Sequence, residues 1–214
     1  MDSWALGLII FSSGCLIGLI IKRLYIHPVD RENEKGVNEC LDKQARKRNG
    51  TIEAFTRWPV LTVPHKNVNI EVSVKENSDD STQEYTYATF RTEVFNDQKF
   101  GIYYWKEFFL RPAFVVGSRL GILDEKLGET YIVSGNDAAF VKAVLTPEIL
   151  DKLIEFEGAW LRVQFGNPHN SSILSRERGW LTVFAWGIST VDQPYDRVIE
   201  MAILFHDRLE ALAR

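Results

Sequence analysis

The chain has 214 residues, with 25 Lys and Arg against 29 Asp and Glu, a net charge of −4 and a pI near 5.6. That balance excludes a general nucleic-acid binder, which needs a basic face to displace counterions. Two cysteines, Cys15 and Cys40, cannot build a disulfide framework, and 45% apolar with 12% aromatic residues suits one well-buried domain.

Residues 4–21, WALGLIIFSSGCLIGLII, form an 18-residue run without a charge. At about 1.5 Å per residue a helix of this length is about 27 Å long, close to the roughly 30 Å hydrocarbon core of a bilayer. Leu24 and Ile26 extend it, so a transmembrane helix is expected over residues 4–26. No Lys or Arg precedes the run and no small-residue cleavage site follows it, which argues against a cleaved signal peptide. Trp4, Ile21 and Tyr25 mark the ends of this anchor, with the aromatics at interfacial positions. Lys22 and Arg23, backed by Arg31 and Lys35, set the topology: N-terminus out, the remaining chain in the cytoplasm, with the anchor in the cell membrane. Two Asn-x-Ser/Thr triplets, at Asn49 and Asn170, suit the opposite orientation but carry less weight than the charge bias. Gly14 and Gly18 form a G-x-x-x-G, a route to a homodimer.

Residues 27–49 read as a juxtamembrane linker. Pro28 pushes His27 out of helical geometry and ends the span. A short helix over 36–48 then places Val37, Cys40, Leu41 and Ala45 on one face. Its basic end, Lys43, Arg46, Lys47 and Arg48, suits contact with anionic lipid headgroups. The simpler reading is a solvated helix end whose cations meet the dipole, since Glu32, Glu34, Glu39 and Asp42 lie close by.

From residue 50 the hydrophobic period changes to two. Val68-Asn69-Ile70-Glu71-Val72-Ser73-Val74 alternates strictly, as a half-buried strand does. Further strands are expected at 51–56, 60–63, 84–94, 99–107 and 113–116, joined as antiparallel meanders because the connections are too short for parallel crossovers. Tyr131-Ile132-Val133 begins a mixed half. Asn136 is placed to cap one helix, and Thr146-Pro147-Glu148 opens a second with a cap, a first-turn proline and an acid at the positive dipole end. Strands follow at 161–165 and 180–186. The chain closes on a long helix over 195–213 with an inward stripe of Val198, Ala202, Phe205, Leu209 and Leu212. The expected fold is α+β: one N-terminal transmembrane helix, then a largely antiparallel sheet with two or three packed helices and a long C-terminal helix, the domain spanning 50–214.

The run from Gly128 to Trp186 resembles a domain of prokaryotic membrane-anchored proteins of unknown function. The matching residues are Tyr131-Ile132-Val133-Ser134-Gly135-Asn136-Asp137, Val144-Leu145-Thr146-Pro147-Glu148-Ile149-Leu150 and Leu161-Arg162-Val163. The chain departs from that pattern at Leu127-Gly128, where the family carries Phe-Asp. The resemblance implies an α+β domain and a bacterial inner membrane as the location, and brings no catalytic residues.

No catalytic, cofactor-binding or metal-binding set stands out along the chain. His27, His65, His169 and His206 show no i,i+4 pairing, and neither cysteine is placed to join one as a zinc ligand. His206-Asp207 are adjacent on a helix and so face different ways. Phosphate loops, G-x-S-x-G elbows and EF-hand loops are not found. The unusual excess is aromatic: Tyr103, Tyr104, Trp105, Phe108 and Phe109 within seven residues. In a strand, alternate members face opposite ways. Tyr103, Trp105, Phe108 and Phe109 therefore offer a partner surface, against the plainer reading of a strand buried on both faces. The function expected is a non-enzymatic interaction or sensing module at the membrane, with an unknown protein partner. The alternatives are a membrane-associated enzyme whose site is assembled from residues distant in sequence, and a peripheral binder of anionic lipid. A reporter fused after Arg214 is expected to act as cytoplasmic; access of external protease to the domain in intact cells would reverse the topology.

Overall fold

The computed structural model describes residues 27–54, 58–76, 84–95, 97–104, 118–119, 129–156, 161–166 and 179–214. Chain order is α1 (His27–Arg48), β1 (Thr51–Glu53), β2 (Val60–His65), β3 (Val68–Glu76), β4 (Glu84–Arg91), β5 (Phe100–Tyr104), β6 (Ser118–Arg119) and β7 (Tyr131–Gly135). Then follow α2 (Ala138–Val144), α3 (Pro147–Glu155), β8 (Arg162–Phe165), β9 (Trp180–Trp186) and α4 (Asp192–Ala213). The fold is α+β, as the sequence pattern requires. Among the described residues no helix is long and apolar enough to cross a membrane. The apolar run at 4–21, with Trp4, Ile21, Lys22, Arg23, Tyr25 and the Gly14/Gly18 pair, lies outside them.

The strands form one antiparallel sheet in the order β1-β2-β3-β4-β9-β8-β5-β7-β6. Register explains how it closes against the helices. Leu61, Val72, Ala88, Val183, Val163, Ile102 and Val133 pair in turn across seven strands and make a continuous apolar row on one face. All seven are buried. α4 lies on this face against β3, β4 and β9, and α1, α2 and α3 each rest against α4. Its buried stripe is wider than the i,i+3/i+4 series alone, adding Tyr195, Ile199, Met201 and His206.

Two local readings differ from expectation and a third holds. α1 begins at His27 rather than at residue 36, so the stretch read as a polar linker is helical. Pro28 sits in the first turn, where its missing N–H and fixed φ do no harm. The cap of α2 is Asp137, which accepts from Phe140 N. Asn136 instead bridges back to β5, accepting from Lys99 N and donating to Asp97 O. Thr146 does cap α3, with Pro147 following it.

β5 resolves the described part of the aromatic cluster by alternation. Phe100, Ile102 and Tyr104 enter the core, and Phe100 meets Phe165 and Phe205. Tyr103 faces the other side of the sheet but is only 3% exposed, so it is not a surface aromatic. Its ring lies over Gly101, where a Cβ would come within 2.4 Å of ring atoms. Trp105, Phe108 and Phe109 lie outside the described residues. Gly101→Ala is expected to cost about 1–3 kcal/mol in chemical denaturation through overpacking. In the Gly101→Ala/Tyr103→Ala pair the losses should be less than additive; strict additivity would show that the ring and the glycine are not coupled.

Candidate functional site

The fold brings together residues that sequence spacing keeps apart. β2 and β3 pair up to His65 and Val68, leaving a two-residue turn of Lys66 and Asn67. Lys66 has φ +51, a left-handed conformation that a non-glycine residue adopts at some energetic cost. This turn packs beside the last third of α4. His65 Nε2 donates to Asp207 Oδ1 at 2.7 Å, Lys66 Nζ reaches the same oxygen at 2.7 Å, and Lys66 also pairs with Glu210 at 3.3 Å. His206 Nδ1 is 3.3 Å from Asp207 Oδ1. A carboxylate only accepts, so both imidazole nitrogens carry their proton in this arrangement.

His206 is 3% exposed and is held edge-on between His65 and Phe90. It also lines a surface cleft of about 430 Å³ with Asn67, Arg91, Glu93 and Glu210. Burial by itself would raise the Asp207 carboxyl, but hydrogen bonds from Lys66, His65 and His206 outweigh it and hold the group down at about 2. Adjacency on the helix did not separate His206 from Asp207: the carboxylate bends back along the helix surface to reach both histidines. No sequence signal pointed to this cluster, because His65 and Asp207 are 142 positions apart.

A second polar seam joins α1 to the start of α4. Lys43 pairs with Asp192, Lys47 with Asp196 at 2.7 Å, and Arg48 with Asp196 at 2.9 Å. The pairs advance in the same direction along both helices, so the helices run parallel where they overlap. Burial tends to raise Asp196, and Lys47 and Arg48 bring it below the usual carboxylate range. Three of the four basic residues read as lipid contacts thus already meet carboxylates, while Arg46 is exposed. Cys40 is buried beneath this seam, and burial pushes its thiol up, away from the reactive thiolate.

The outer face of the sheet was missed as well. Thr89, Thr182, Gln164, Gly101 and Ser134 pair in turn across five strands, and all are buried. The Thr89 and Thr182 hydroxyls are 2.8 Å apart, Gln164 donates to the Tyr103 hydroxyl, and Arg162 lies over the rings of Tyr85 and Phe184.

No protein-family model and no curated protein matches the chain. Among solved structures it is similar to the crystal structure of the mycobacterial trehalose monomycolate transport factor A, TtfA, with a TM-score of 0.53 and 9% identity. The match covers 81% of this chain and 94% of that one. At that identity the likeness is one of fold.

The depressed Asp207 acidity gives a pH test. A carboxyl lowered from its ordinary value contributes stability above that value and loses it as pH falls through about 2. Because its side chain is 40% exposed, solvent screening limits the contribution to at most about 1 kcal/mol. Asp207→Asn should therefore lower the unfolding midpoint at pH 5 and 6, with the difference from wild type shrinking between pH 4 and 2. A pH-independent difference would assign the loss to packing.

Proposed function

We propose that this chain is a membrane-tethered interaction domain that catalyses no reaction and assists a process at the bilayer. The observation that carries the reading is the seating of α1. The helix that follows the apolar run belongs to the core of the domain: Val37 and Leu41 are fully buried and Cys40 is 5% exposed. The ion pairs to Asp192 and Asp196 fasten its far end. A domain joined in this way is held at a set position near the membrane, which suits recognition of an integral membrane partner. The fold likeness to a protein named as a transport factor supports a role of this accessory kind. The tether is the expected span at 4–26, with the domain on the cytoplasmic side.

The cleft beside His206 favours the enzyme reading, since it brings an imidazole, carboxylates and a guanidinium to one opening. The polar groups at its His206 side are engaged with one another and with Lys66, which favours a binding or structural role for them over catalysis.

The full chain is expected to stay in the membrane pellet after alkaline carbonate extraction, and Leu16→Lys with Leu19→Lys should release it. Photo-crosslinking from exposed positions of α1, such as Arg46, should capture an integral membrane protein. Carbonate release of the wild-type chain would sink the proposal.

A further inference from the structure

The cluster at the β2–β3 turn has the donor set of a metal site. His65, His206 and Asp207 each offer one ligand atom, and these atoms all lie within 4.8 Å of one another. Of the separations to Asp207 Oδ1, the 3.3 Å to His206 Nδ1 matches the edge of a tetrahedron, about 3.3 Å for zinc bonds of about 2.0–2.1 Å, and the 2.7 Å to His65 Nε2 is a hydrogen bond that would lengthen by about 0.6 Å to admit an ion. The ligands come from two elements that the core already fixes: the end of β2 and the last third of α4. His206 is packed against Phe90, so its ring has little freedom to turn away. Glu210, one helical turn after His206, stands next to the cluster and lines the same cleft. The cluster already attracts a cation: the Lys66 ammonium lies between Asp207 and Glu210.

We propose that His65, His206 and Asp207 bind a divalent transition-metal ion, with Lys66 as the chain's own competing cation. Two imidazoles and a carboxylate suit zinc, nickel or copper rather than calcium or magnesium, which take oxygen ligands. The ion takes the place of the two protons now shared with Asp207, and each imidazole coordinates as the neutral ring with its single proton on the other ring nitrogen, so no imidazolate forms. Lys66 is half exposed on a flexible stem, so it swings out and keeps Glu210 as its partner. With three protein ligands the fourth position is left for water. The site is independent of the membrane tether and stands or falls separately from it.

The test uses the full chain in detergent micelles, stripped with chelator and titrated calorimetrically with zinc chloride. Cobalt(II) serves as the optical probe. One zinc per chain is expected, together with the visible absorption of tetrahedral cobalt. His65→Gln should weaken binding at least about tenfold. Lys66→Gln should tighten it several-fold by removing the competing charge, a gain that misfolding cannot produce. Absence of saturable binding to the wild-type chain, or an affinity unchanged in both variants, would overturn the assignment.

Discussion

The fold depends on one burial event, the laying of α4 across the apolar row of the sheet. Tyr195, Val198, Ile199, Met201, Ala202, Phe205 and Leu209 are buried between the sheet and the other helices. At about 1.5–3 kcal/mol per large apolar side chain, no other element among the described residues contributes as much. It also solves a topological problem. β4 and β9 are neighbours in the sheet yet almost a hundred residues apart in the chain, and closing such a loop is entropically unfavourable. α4 follows β9 directly and covers both strands, so one helix rewards the long-range pairing that precedes it. α2 and α3 then rest on α4, while α1 packs against α4 and against β1 and β2.

The two ends of α4 are fastened by opposite electrostatic means. Asp192 and Asp196 lie in the first turns, where the helix dipole favours acids, and their partners Lys43, Lys47 and Arg48 lie in the last turns of α1, where it favours bases. That seam agrees with both dipoles. At the other end Asp207 and Glu210 sit where the dipole disfavours acids. This end gathers cations and donors around them: His65, Lys66, His206 and Arg214. The strained turn at Lys66 belongs to the same balance, since it delivers the ammonium to two carboxylates that the helix alone would not support.

Strand positions and one of the two helix caps were legible because they are local. The alternation at 68–74 and the apolar run at 180–186 each became a strand, and Thr146-Pro147 opened a helix where its chemistry said it should. Pro28 shows the limit of a local rule, for the same ring that ends one helix suits the first turn of the next. Sheet order was not legible, because meander rules say nothing about where β8 and β9 return. Once β9 inserts between β4 and β8, polar residues such as Thr182 and Gln164 find partners in neighbouring strands and are buried. Alternation alone distinguishes the two faces of a strand and does not say which faces are covered. The His65–Asp207 cluster was invisible for a related reason: it is created by a register and a helix placement, and no spacing along the chain encodes either.

Gly36 carries a mechanical consequence. A Cβ at that position would come within 2.7 Å of Thr190, so the helix backbone there lies directly against the segment leading into α4. Contact through a missing side chain acts like a key in a slot, permitting one rotational setting of α1 about its own axis. The Asp192 and Asp196 pairs lock the same setting further along. A turn of α1 at its His27 end therefore cannot be absorbed as slack and must reach the sheet as torque. In this chain the part nearest the predicted anchor is a shaft keyed to the core.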